Sequence, residues 1–384
     1  MPLWLSRSFR VLVFGAVFTA LFSCSNEEVN PPAELVDFEA SVKLKRLWKT
    51  SVGAGDDDLK LSLSPVMSGQ QIFTLSVDGL LSALEIDTGK LLWERELDEL
   101  VSGGLGLDAL SLYYTTFQGQ IVSIDRESGN PRWRRTLVSE AISAPASNGS
   151  TVVVQTIDGR LAAFDASEGN QRWRYDGPGS ILSLRGTPTP LLTAESVITS
   201  FSNGEMLSFD LRNGSVNWKT TVGVPQGRTE LERLVDPDGR PALFNERVYA
   251  VAYQGDMVAL DVRSGREIWS KPVSSFNGLS VNEKHVYATL ADGTVLAVNK
   301  TNSNDVWRNE KLKYRRLTTP YVFGSYVALT DYEGYLHLLS STNGEFVARV
   351  RPDSDGIMGD MLVLDDRLYV YTRSGDVLAY QLTH

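Results

Sequence analysis

From residue 44 onward, apolar and polar positions exchange places along short runs, with glycine or proline between one run and the next. Residues 159–165 (GRLAAFD) alternate, residues 166–169 make a turn, and residues 170–174 (NQRWR) resume the alternation. A period of two is that of a strand with one buried face, and two such runs across a glycine turn are a hairpin. Upstream lies a further strand, as in 151–156 (TVVVQT) or 247–252 (RVYAVA). Before that comes a short segment with a proline, as in 64–66 (SPV), 143–145 (SAP), 240–242 (RPA) and 319–321 (TPY). The pattern predicts four strands per unit. It also places the proline-bearing strand innermost, where small side chains fit and a missing N–H is tolerated.

The unit repeats. Aligned on a glycine, the copies fall at Gly79, Gly119, Gly159, Gly204, Gly255, Gly293, Gly334 and Gly375. Six residues on stands an acid (Glu85, Asp125, Asp165, Asp210, Asp261), with Asn299 and Ser340 as weaker copies. Ten on is a turn glycine (Gly89, Gly129, Gly169, Gly214, Gly265, Gly344), replaced once by Ser303. Fourteen on stands Trp93, Trp133, Trp173, Trp218, Trp269 and Trp307, with Ala348 in the seventh copy. Units of about 40 residues with four strands each are propeller blades. In such a blade the acid can accept hydrogen bonds from the turn, the glycine supplies φ > 0, and the tryptophan can dock on the neighbouring blade.

The eighth copy ends before its tryptophan strand. Residues 44–52 (LKRLWKTSV) have the form of that strand, with Trp48 in register. They are expected to pair with 376–382 and close the ring, leaving no exposed sheet edge between first and last blades. The fold class is therefore all-β: an eight-bladed β-propeller of four-stranded antiparallel blades, one domain over 44–384.

The first residues carry different information. Arg7 and Arg10 precede an uncharged apolar run, 11–22 (VLVFGAVFTALF), too short to span a bilayer and of the right length for a signal-peptide core. It leads into Leu21, Phe22, Ser23 and Cys24, the one cysteine of the chain. This junction resembles the bacterial lipoprotein signal. The resemblance implies cleavage after residue 23, lipidation of Cys24, and, with Ser25 following, sorting to the outer membrane. An ordinary secretory signal with an incidental cysteine is the alternative. Residues 24–43, with Pro31 and Pro32, read as the lipidated cysteine and a flexible tether.

Charge and composition narrow the chemistry. The formal charge is −10, and −12 without the two leader arginines, which argues against a nucleic-acid partner. One cysteine rules out an internal disulfide or a cysteine zinc site. His285, His337 and His384 have no metal-ligand spacing, the acidic run 56–58 lacks the alternation of a calcium loop, and the glycines at 103–106 precede no helix pattern. No nucleophile–base arrangement stands out, and neither cofactor nor metal is expected.

The stretches 83–93 (ALEIDTGKLLW) and 259–269 (ALDVRSGREIW) resemble the pyrroloquinoline-quinone propeller repeat. That repeat is named after quinone-dependent alcohol dehydrogenases, which are longer, bind calcium and carry a vicinal disulfide beside the quinone. With the leader and the length, the chain resembles the BamB family of lipoproteins of the outer-membrane β-barrel assembly machinery. Residues 182–186 (LSLRG) with Thr187 and Pro188 are its sharper motif. The segments after Trp173 and Trp218 are also the longest between a tryptophan and the next aligned glycine, 31 and 37 residues. Extra length in a repeat protein goes into loops, often on the binding face.

The family resemblance implies that Leu182, Leu184, Arg185, Asp236 and Asp238 bind BamA through its POTRA domains within the Bam complex. Leucines would give an apolar anchor and the charges its orientation. The residues alone also allow Leu182 and Leu184 to face a strand's core and Arg185 to pair internally with Asp236 or Asp238. Unfolded outer-membrane proteins are a further possible partner, through strand addition at blade edges. Three classes follow: a non-catalytic assembly scaffold, which we favour; a quinone-dependent dehydrogenase; and a periplasmic propeller that binds a ligand such as cell-wall glycan in its channel.

Overall fold

A computed structural model of the chain describes residues 30–55, 61, 63–177, 186–223, 239–357 and 359–383. The alternating runs form eight four-stranded antiparallel sheets, and the described residues contain no helix. Blades 1 to 8 span 66–96, 101–136, 146–176, 191–221, 242–272, 279–309, 321–350 and 362–383. The second and third strands of each blade are buried almost throughout, as in Thr151–Gln155 and Arg160–Asp165, whereas fourth strands such as Gln171–Asp176 alternate with solvent. First strands of adjacent blades approach one another, which puts them innermost as expected. The prolines sit one place earlier than predicted. Pro65, Pro145, Pro241 and Pro320 each immediately precede their strand, so no ladder hydrogen bond is lost.

The repeat signature is explained at the seams between blades. Within the last hairpin, Asp165 accepts from the Ser167 and Glu168 amides at 2.9 and 3.0 Å, and Gly169 N–H donates to the Asp165 carbonyl at 2.8 Å. The tryptophan belongs to the seam. Trp133, Trp173, Trp218 and Trp269 each donate Nε1–H to a backbone carbonyl of the next blade: Ala166, Leu211, Val262 and Lys300, at 2.8–3.0 Å. The Trp133, Trp173 and Trp218 rings also lie against the next blade's turn glycine: a Cβ added to Gly265 would stand 2.4 Å from the Trp218 ring. Glycine is thus required twice, for its positive φ of 66° and for the space the indole fills.

The ring closes as predicted. The strand Lys43–Ser51 pairs with Asp376–Thr383, with Leu44 opposite Leu382 and Ser51 opposite Asp376, through one bulge between Arg46 and Trp48. Lys49 Nζ reaches Asp376 Oδ2 at 2.6 Å.

Closure also explains Ala348. The third and fourth strands of blade 8 come from opposite ends of the chain, so no turn joins them and a seventh tryptophan would have nothing to dock on. Residues 33–42 occupy that seam instead. Ser41 and Val42 amides donate to the Val347 carbonyl at 3.0 and 3.3 Å, Phe38 stacks on Phe346 at 5.3 Å, and Val42 and Leu44 pack with Ala348. Part of the segment read as a free tether is therefore a strap held on blade 7.

The glycines at 103–106 lie in the bulged strand Val101–Leu107. A Cβ on Gly106 would stand 2.0 Å from the Pro145 carbonyl oxygen, so these glycines allow close approach of the next blade.

Candidate partner-binding face

Antiparallel strands give the ring two unlike ends. One carries the connectors between blades and the turns from second to third strands. The other carries the remaining hairpin turns. We term these the connector face and the hairpin face.

The described residues that flank both enlarged segments lie on the connector face: Gly177 and Gly186 for the first, Gly223 and Gly239 for the second. Leu182, Leu184 and Arg185 in the first and Asp236 and Asp238 in the second lie outside the described residues, as does Cys24. The frame around them is described. Gly239 sits against Asn277 and Gly278 of the next connector, where a Cβ would meet the Asn277 carbonyl oxygen at 2.6 Å. Beside this point Tyr253 and Phe276 stack at 4.2 Å, and Phe276 is 46% exposed.

The same face bears an apolar arc on its other side. Phe117 and Ile157 stand exposed at the second-to-third-strand turns of blades 2 and 3, beside exposed Leu100 and Val138 in the adjoining connectors. Phe117 N–H donates to the Leu100 carbonyl at 3.2 Å, which joins turn and connector. Sequence reading missed these residues. Phe117 and Ile157 occupy the repeat position of Val77, which is buried, so an apolar residue there does not by itself signal exposure. Exposed aliphatic and aromatic side chains grouped on one face are what a protein partner can bury.

A cavity of about 870 Å³ opens at the centre of the connector face, between blades 5 and 8. Phe276, Tyr314, Tyr332, Arg316 and Arg373 line it, together with Asn30 and Pro32 from the start of the described chain. Tyr314 and Arg316 hold positive φ values of 60° and 48°. Among the described residues no group of three or more His, Cys, Asp or Glu side chains could hold a metal ion.

Below the cavity rim, blade 7 buries a polar network. Arg315 Nε donates to Asp331 Oδ2 at 2.7 Å, and His337 Nε2 stands 3.0 Å from the same oxygen. Arg349 Nε donates to His337 Nδ1 at 3.1 Å, so the neutral imidazole carries its proton on Nε2 and donates it to Asp331. Burial lowers the His337 pKa, and Asp331 only partly opposes it. Burial opposes the Asp331 carboxylate too, but hydrogen bonds from His337 and Arg315 outweigh it and hold the pKa below the usual value. Both arginines then grip the strap: Arg315 Nη1 donates to the Ala33 carbonyl and Arg349 Nη1 to the Val36 carbonyl, each at 3.0 Å.

Comparison with known proteins agrees with this geometry. A sequence model of the family described as "Outer membrane protein assembly factor BamB" matches residues 77–309 and 291–383. The outer membrane protein assembly factor BamB of Pseudomonas aeruginosa is 46% identical over 369 residues, covering 96% of this chain and 97% of that protein. The crystal structure of BamB from Moraxella catarrhalis superimposes with a TM-score of 0.81 at 26% identity, over 88% of this chain and all of that one. The quinohemoprotein alcohol dehydrogenase of Comamonas testosteroni, at 13% identity and a TM-score of 0.70, covers 88% of this chain and 76% of its own, and shares the fold alone. The seam chemistry, the eight blades and the full-length match together place the chain in the BamB family of outer membrane protein assembly factors.

Proposed function

We propose that this chain is a non-catalytic scaffold of the Bam complex, which assists folding and insertion of outer-membrane β-barrel proteins. The match to a named assembly factor at 46% identity over nearly the whole length of both proteins carries this reading. In it, the signal 1–23 is removed, Cys24 is lipidated, and the propeller 44–384 is held at the periplasmic face of the outer membrane. Leu182, Leu184 and Arg185, with Asp236 and Asp238, bind BamA POTRA domains from the connector face. The exposed Phe117, Ile157 and Phe276 on that face offer a partner further apolar area. Strand addition by unfolded outer-membrane proteins at the blade edges remains a secondary contact in the same scheme.

Arg185→Glu, and separately Leu182→Ser with Leu184→Ser, test the assignment. Each is expected to abolish co-purification with BamA while leaving the thermal unfolding midpoint unchanged. A variant that unfolds, or one that still binds, sinks the residue assignment.

A further inference from the structure

We propose that the strap on blade 7 fixes where the lipid tether leaves the propeller, and so turns the connector face towards the bilayer. This rests on Cys24 being the lipidated residue. The strap begins on the connector face: Asn30 and Pro32 line the central cavity, and the Ala33 amide donates to the Lys313 carbonyl at 2.9 Å. It then descends beside the fourth strand of blade 7, gripped at Val36 by Arg349 and at Phe38 by Phe346. It ends on the hairpin face, where Lys43 pairs with Thr383 at the far end of blade 8.

The chain thus takes nine residue-to-residue steps, from Ala33 to Val42, to cross from one face to the other. The leash from Cys24 to Ala33 is also nine such steps, with a fully extended reach of roughly 30 Å. A leash of that length, starting on the connector face, would be used up in returning along the rim to the hairpin face. Nothing would be left to carry the lipidated residue into a bilayer there. The connector face suffers no such limit and can lie anywhere within the leash. The buried arginine contacts matter because freeing the strap would double the leash and erase the preference. The outcome is a propeller whose cavity mouth looks towards the membrane.

The test uses the full-length lipidated protein in phosphatidylcholine–phosphatidylglycerol vesicles with a headgroup-level quencher. Lipidation blocks Cys24, so Lys311→Cys or Lys284→Cys adds the single free thiol for a fluorophore. Both lysines are exposed and stand at opposite ends of blade 6, on the connector and hairpin faces respectively. The Lys311→Cys label should lose most of its fluorescence and the Lys284→Cys label little. Inserting about twelve Gly/Ser residues after Ser25, which lengthens the leash without touching the strap, should bring the two signals together. Equal quenching before insertion, or stronger quenching at position 284, overturns the orientation. Failure of the protein to float with the vesicles overturns the lipid-anchor reading itself, and the orientation with it.

Discussion

Ser303 is the residue that departs from the turn pattern while keeping its geometry, with φ of 58° where six other copies use glycine. A side chain in this region costs roughly 1–2 kcal/mol. Ser303→Gly should therefore be neutral or stabilising by up to about 1 kcal/mol. Gly265→Ala should cost at least about 2 kcal/mol, because strain adds to displacement of the Trp218 ring. Denaturant midpoints of the two variants decide the matter, and equal effects would refute the double role of the glycine.

His337 makes the second residue-scale prediction. Its folded pKa lies below the unfolded value, so between the two the unfolded chain binds more protons. Stability is therefore fully present above about pH 6.5 and falls as pH drops below it. Protonation would place a cation among Arg315 and Arg349 with only Asp331 to answer it. His285 is shifted the same way, by burial and by Lys284, and contributes in the same window. His337→Asn should flatten the fall in stability between about pH 7.5 and about pH 5.5, leaving the share due to His285. An unchanged slope would show that the network does not titrate there.

At the scale of elements, the seam between blades 7 and 8 differs from the others. Six tryptophans dock on the turn of a following blade, and Trp48 does the same on the turn of blade 1 through Ile86. Ala348 has no turn to meet, and the strap with Val42 and Leu44 fills the space. Restoring the repeat by Ala348→Trp should destabilise the protein by about 1–3 kcal/mol through overpacking, although it improves the match to the motif. Calorimetry tests this, and a stabilised variant would mean that the strap yields to the ring.

Much of this scale was legible beforehand. Blade count and strand count followed from the period of two, and the pairing of 44–52 with 376–382 from the tryptophan register, because the repeat shows which strand the last copy lacks. The strap was not legible. Residues 33–42 have no strand pattern, and their hydrogen bonds go to the Lys313 and Val347 carbonyls and to two arginine side chains, partners some three hundred residues away.

For the whole molecule, the sequence by itself determined the ring. Eight copies of a hairpin that buries one face must stack, and a strand missing from one terminus and present at the other must close the stack. Membership of an assembly-factor family was legible too, from the repeat together with the leader and the motif at 182–186. Other facts needed the tertiary structure. Only there does the turn glycine prove to be shaped by the preceding blade's indole, and the free tether prove to be tied down from Ala33. Only there do Phe117, Ile157 and Phe276 come to share one face. The physical reason is common to all three. Alternation along a chain records which side of a strand is dry, whereas which blade supplies the neighbouring atoms is set by closure of the ring, and no local pattern encodes that.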